Sequence, residues 1–232
     1  MIKRLFSFDP LEIAESQAPG YLTPERKGVN FFIKRAFDYC LTIPGLILMS
    51  PLLLLIAIAI KLDSPGPVIF RQKRVGLNGR IFEAYKFRSM YQDANPSLHE
   101  EHIKAFADGM LDETKGVKLK DDPRITPVGR FLRETSLDEL PQTFNVLKGE
   151  MSLVGPRPVI VYEADLYDLW HSERFNVLPG ITGLWQVTGR STVSFDDQLR
   201  LDIRYIRYQS LWLDIKILLK TLPAVLSKRG AG

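Results

Sequence analysis

Residues 135–158 read Thr-Ser-Leu-Asp-Glu-Leu-Pro-Gln-Thr-Phe-Asn-Val-Leu-Lys-Gly-Glu-Met-Ser-Leu-Val-Gly-Pro-Arg-Pro. Two adjacent carboxylates, Asp138 and Glu139, stand at the start of an expected helix, and Arg157 stands between two prolines. An ionised carboxylate can attack phosphorus or help hold Mg²⁺. A guanidinium offers a planar fork matched to phosphate oxygens, and Arg133 and Arg157 are the candidates. Pro156 and Pro158 restrict the backbone around Arg157, which lowers the cost of ordering it. A structural reading competes, because Ser136-x-x-Glu139 fits a capping box. Pro141 favours a register with Asp138 as the cap, placing the proline in the first turn, where it is tolerated. In either register both carboxylates sit at the positive end of the helix dipole, which favours the ionised form by roughly 0.3–1 kcal/mol. Adjacent helical residues face different ways, so the pair is expected to divide its tasks.

These residues need a support, and the most distinctive one is apolar. Leu41 to Ile60 contains no charged residue, and about twenty such residues suffice to cross the hydrocarbon region as a helix. A secretory signal is not expected, because the run begins well inside the chain and no small-residue cleavage site follows. Pro44 and above all Ser50-Pro51 argue against a plain crossing. A proline inside a helix removes one hydrogen bond and bends it, and the Ser50 hydroxyl can serve a carbonyl so freed. Lys34 and Arg35 precede the run, and Lys61, Arg71, Lys73, Arg74 and Arg80 follow it. Positive residues mark the cytoplasmic side, and both ends qualify. The expectation is a re-entrant helix-break-helix over residues 29–63, turning at Ser50 and Pro51, against a Pro-kinked span.

The remainder reads as α+β, mainly helical. Residues 1–28 are expected to form a tail or surface arm. Residues 64–190 form the expected catalytic domain. It opens with a β-hairpin over Val68–Arg74 and Arg80–Arg88 around Asn78-Gly79. The hairpin is basic, so its cations, Lys86 and Arg88 among them, are candidates for substrate phosphates or lipid headgroups. Residues 91–120 read as a polar excursion, and residues 159–175 as helical. The loop over residues 178–190 is rich in glycine and hydroxyls. Its Thr182, Gly183, Gln186 and Arg190 are candidates for a nucleotide or sugar pocket, or for a tight structural turn. Residues 191–232 contain amphipathic helices, with Tyr205, Tyr208 and Trp212 beside Arg204, Arg207 and Lys216, a mixture suited to the headgroup zone or to ordinary packing onto the core. The formal net charge of +4 suits anionic lipid or nucleotide phosphates, and no long single-sign block suggests nucleic acid. A single cysteine, Cys40, excludes an intrachain disulfide, and the three histidines show no metal-ligand spacing.

Read in order, Ser50-Pro51 in an apolar helix, Lys86-Phe87-Arg88-Ser89-Met90, Leu132 to Gln142 and Met151 to Pro158 resemble the bacterial sugar transferases, the small monotopic phosphoglycosyl transferases. The likeness runs from about residue 29 to 225, with Glu134 and Thr143 departing from the usual pattern. The resemblance implies transfer of a sugar-1-phosphate from a UDP-sugar to undecaprenyl phosphate, with release of UMP. It implies a covalent phosphosugar on Asp138, a catalytic dyad completed by Glu139, assistance by Mg²⁺, and phosphate contacts from Arg133 and Arg157. It also implies a re-entrant helix at the cytoplasmic face of a bacterial inner membrane, and hints at a hexose phosphate for exopolysaccharide. Self-association as a homodimer is compatible with the sequence. The alternative from another class is a membrane-anchored, lipid-binding scaffold for glycan assembly, which makes no use of Asp138, Glu139 or Arg157.

Overall fold

The computed structural model describes residues 31–92, 122–164, 167, 169–188 and 194–226. The 1–28 arm, nearly all of the 91–120 excursion and Arg190 lie outside them. The first element, α1, is a 33-residue helix over Phe31–Asp63. Helical conformation continues through Pro44 and Pro51, so no loop interrupts it at the expected break. Pro51 cannot donate to the carbonyl of Ile47, four residues back. The Ser50 hydroxyl donates to that carbonyl instead, at 2.8 Å.

Burial along α1 is uneven. Lys34, Arg35, Asp38 and Thr42 are buried near one end, and Ile56 and Ile60 near the other. None of the thirteen residues 43–55 between them is buried. Leu48 is 83% exposed and Leu55 64%, an apolar surface that water alone would not favour. Lys34 and Arg35, read from sequence only as positive charges before the apolar run, are locked into the globular part. Lys34 Nζ lies 2.7 Å from Asp214 Oδ2, and Arg35 donates to the carbonyls of Met151 and Val146 at 2.7 and 2.6 Å. Asp38 Oδ1 accepts from Ser152 Oγ at 3.0 Å and from the Leu153 N–H at 3.1 Å.

Strands β1 (Ile69–Val75) and β2 (Ile81–Phe87) form the expected antiparallel hairpin. Its turn places Asn78 at φ 55° and Gly79 at φ 74°, a left-handed pair suited to those two residues. Next come α2 (Pro127–Glu134), a one-turn 3₁₀ helix (Leu137–Glu139) and α3 (Gln142–Lys148). β3 (Ser152–Val154) follows, and β4 (Val159–Ile160) pairs with β1, giving the sheet order β2-β1-β4. The helix expected over residues 159–175 is therefore divided. The β-branched run Val159-Ile160-Val161 gives a strand and then a single turn, α4 (Val161–Ala164), with a 3₁₀ segment at Leu169–Asn176. Branching at Cβ favours the extended edge here.

β5 (Gly180–Thr182) lies parallel to β3. A Cβ on Gly180 would overlap the backbone of Gly155, as would one on Gly183. These glycines thus admit backbone against backbone. α5 (Leu184–Thr188), α6 (Phe195–Arg207) and α7 (Leu211–Leu226) complete the described chain. Val154, Leu184, Leu201, Tyr205 and Ile217 form one core cluster, and Ile56, Ile60, Phe87 and Leu132 form another beneath α1. The C-terminal helices therefore help build the core. Tyr205 follows the core-packing alternative and is fully buried, its hydroxyl 2.7 Å from Asp214 Oδ1. Tyr208 and Trp212 are 70% and 60% exposed.

Candidate active site

α2 starts cleanly: Thr126 Oγ1 accepts from the Gly129 N–H at 3.0 Å, and Pro127 takes the first position. Gly129 packs on the backbone of Ser89, where a Cβ would overlap, so α2 is seated at the end of β2. After α2 the chain turns through Ser136, at φ 57°. Asp138 and Glu139 then lie in the 3₁₀ turn, and α3 begins only after Pro141. The expected cap is corrected here. Ser136 makes no side-chain cap bond, Asp138 lies inside the turn, and Pro141 itself occupies the N-cap of α3. The left-handed Ser136 separates the turn from α2, and Pro141, which has no N–H to donate, stands at the N-cap of α3. The carboxylates consequently draw their electrostatic support from side-chain cations.

Those cations converge from three directions. Lys86, on β2, places Nζ 2.8 Å from Glu139 Oε1. Arg157 reaches the same oxygen with Nη1 at 3.2 Å. Asp138 adds its field at Lys86, Arg133 and Arg157. The register between the carboxylates and Lys86 is fixed by Asn145 of α3. Its side chain accepts from the Tyr85 N–H at 3.0 Å and donates to Glu83 O at 2.7 Å, on the free side of β2. Lys86, Glu139 and Arg157 line one cleft with Arg74 and Gln142, and Gly180 and Ile181 edge it.

Gln142 escaped the sequence reading as a site residue, and Arg74 entered it only as one of the hairpin's cations. Arg74 is buried, donating to Pro158 O at 2.8 Å and to Gln72 Oε1 at 2.6 Å. Burial first, and then Arg157, push its pKa down to about 10. Burial also lowers the pKa of Lys86, against the pull of Glu139, and that of Arg133, against the pull of Asp138. Arg157 moves the other way, raised chiefly by Glu139. Four cations (Arg74, Lys86, Arg133, Arg157) thus gather around Asp138 and Glu139, with Glu163 also acting on Arg74 and Arg157. Such a group of cations suits the oxygens of a phosphate.

Other expected site residues lie elsewhere. Arg88 is buried, and its two terminal nitrogens donate to the carbonyls of Pro65, Ile60 and Ser64 and to Ser64 Oγ. It closes the end of α1, where orphan carbonyls need donors, which leaves no room for the phosphate contact expected of it. Thr182 Oγ1 lies 2.8 Å from Thr221 Oγ1, Gly183 packs on Gly155, and Gln186 Nε2 donates to Ile181 O at 3.4 Å. The described part of this loop follows the structural-turn alternative, and of its described residues Gly180 and Ile181 line the cleft. Among the described residues, no group of three or more His, Cys, Asp or Glu side chains comes together. The pair of carboxylates still suits Mg²⁺, which commonly takes one or two carboxylates and completes its shell with substrate phosphates and water.

The chain is similar to known proteins over most of its length. The family described as "Bacterial sugar transferase" matches residues 29–228. The chain is 46% identical to the undecaprenyl-phosphate galactose phosphotransferase of Salmonella typhimurium, over 86% of this chain and 42% of that protein. It is 43% identical to the UDP-glucose:undecaprenyl-phosphate glucose-1-phosphate transferase of Escherichia coli, over 88% of this chain and 42% of that protein. The exopolysaccharide production protein ExoY of Rhizobium meliloti is 40% identical over 93% of this chain and 97% of its own length. The chain thus spans under half of two of these relatives and nearly all of the third.

Proposed function

Because this chain belongs to the bacterial sugar transferase family, we propose that it transfers a hexose-1-phosphate from a UDP-sugar to undecaprenyl phosphate, as the first membrane step of exopolysaccharide synthesis. The observation that carries this reading is the cluster of four cations around Asp138 and Glu139, on a body whose long helix exposes apolar residues. A lipid-binding scaffold would have no use for that cluster.

The chemistry follows from the side chains. Asp138 attacks the β-phosphorus of the UDP-sugar. The bond from that phosphorus to the bridging oxygen breaks, and the electron pair leaves on UMP. A phosphate oxygen of undecaprenyl phosphate then attacks the same phosphorus, and the Asp138 carboxylate departs unchanged. Arg157, Lys86 and Arg133 neutralise charge on the phosphoryl oxygens during both steps. Glu139 holds Lys86 and Arg157 on one oxygen and so sets their spacing. Asp138 and Glu139, with the diphosphate, would hold Mg²⁺, which supplies further charge neutralisation.

The re-entrant arrangement is supported by length. The thirteen unburied residues between the two anchored ends of α1 reach about 20 Å as a helix. The hydrocarbon region is about 30 Å thick. With both ends held on one globular body, α1 would dip into one leaflet, and the cations near its flanks support the cytoplasmic side of the inner membrane as that leaflet.

Purified protein incubated with Mg²⁺, undecaprenyl phosphate and UDP-galactose or UDP-glucose should release UMP and name the sugar. Without the acceptor lipid, a phosphosugar adduct should be trapped on Asp138, and Asp138→Asn should abolish both. Release of UDP, or normal turnover by Asp138→Asn, would refute the mechanism.

A further inference from the structure

The carbonyls of Arg157 and Pro158 are both held by buried guanidiniums. Arg74 donates to Pro158 O at 2.8 Å, and Arg174 Nη2 donates to Arg157 O at 2.8 Å. Pro156 and Pro158 have no N–H, so Arg157 is the turn's one amide donor, while Pro156 O accepts from the Gly180 N–H at 2.8 Å. Its carbonyls are the remaining handles. Arg174 is itself fixed on other sides. Nη2 lies 2.7 Å from Asp202 Oδ2, with both side chains buried. Nη1 donates to the Tyr167 hydroxyl, which in turn donates to Glu163 at 3.0 Å. The guanidinium also lies over the Tyr167 ring, 5.4 Å from its centroid.

We propose that Arg174, anchored by Asp202, is a positioning residue that acts through Arg157 by holding the Pro-Arg-Pro turn against the cleft. Arg157 reaches Glu139 and the cleft, whereas Arg174 holds its backbone carbonyl and is not among the residues that line the cleft. Arg74 shares the grip but also lines the cleft, so Arg174 isolates the effect. The inference ties α6, which carries Asp202, to the placement of a phosphate-contacting cation. It rests on the reading of Arg157 given above.

The test is a double-mutant cycle read as kcat/KM for UMP release at pH 8, together with the Kd for the UDP-sugar. Arg174→Lys keeps a charge against Asp202, but one ammonium cannot reproduce the fork. It should lower kcat/KM about 30-fold, while thermal unfolding in detergent stays near that of the parent. In an Arg157→Ala background the same change should cost less than about twofold, because the residue it positions is gone. Should Arg174→Lys fold poorly, Arg174→Met with Asp202→Leu removes both buried charges together and should show the same pattern. Losses that add in the Arg157→Ala background, or an Arg174 variant with parental kcat/KM, would overturn the proposal while leaving the role of Arg157 intact. Full activity of Arg157→Ala alone would overturn both.

Discussion

At the scale of single residues, Asp138 and Glu139 are adjacent in sequence but differ in surroundings. Glu139 Oε1 is engaged by Lys86 and Arg157 together, an arrangement for holding cations in place. Glu139→Gln keeps an oxygen there but removes the charge that orients them. We expect kcat/KM to fall about 100-fold, with the phosphosugar adduct still forming slowly in single-turnover reactions. Asp138→Asn should form none, and that contrast separates positioning from attack. The Leu-Asp-Glu-Leu-Pro and Gly-Pro-Arg-Pro runs made these residues legible in the sequence. Arg74 and Arg174 were not, because an arginine that serves carbonyls from another element leaves no local pattern. Arg88 misled for the converse reason: it neighbours Lys86 in a basic strand, yet its guanidinium turns toward the carbonyls at the end of α1.

Among the elements, the hairpin and the long apolar helix were readable from Asn78-Gly79 and from twenty uncharged residues. The start of α3 was misplaced, because local rules allowed a cap at Asp138 while the left-handed Ser136 and Pro141 redirected the chain. The two-residue β4 and the parallel pairing of β3 with β5 depend on partners distant in sequence, which periodicity does not report. Asn145 shows how such docking is made specific. Its amide takes the place of a neighbouring strand along β2, a free edge that would otherwise expose a backbone donor and acceptor. Asn145→Leu would leave the Tyr85 N–H and Glu83 O without that partner. We expect a loss of roughly 2–4 kcal/mol, read as a lower thermal midpoint in detergent. UMP release should fall too, since α3 no longer sets Glu139 opposite Lys86.

For the whole molecule, the decisive relation is between α1 and the body that holds it. Lys34 with Asp214 at one end, and Ile56 and Ile60 with Phe87 and Leu132 at the other, bind both flanks to the globular part. Phe32 and Leu62, 78% and 83% exposed, are therefore suitable labelling positions. After Cys40→Ser removes the native thiol, single cysteines at Phe32 and at Leu62 should both resist a membrane-impermeant reagent added from the periplasm. Both should react once the cytoplasmic side is opened. Labelling of just one from the periplasm would establish a crossing helix. The twenty-residue uncharged run suggested a length sufficient to span, but the buried flanks leave only thirteen residues free. That short stretch has a consequence for the membranes this protein can inhabit. A spanning helix must match its hydrophobic length to the thickness of the bilayer, and mismatch costs energy for every ångström. A helix that stays within one leaflet has no opposite surface to meet. Acyl-chain length should thus matter little to it, and what it feels instead is how tightly the lipids of its own leaflet are packed.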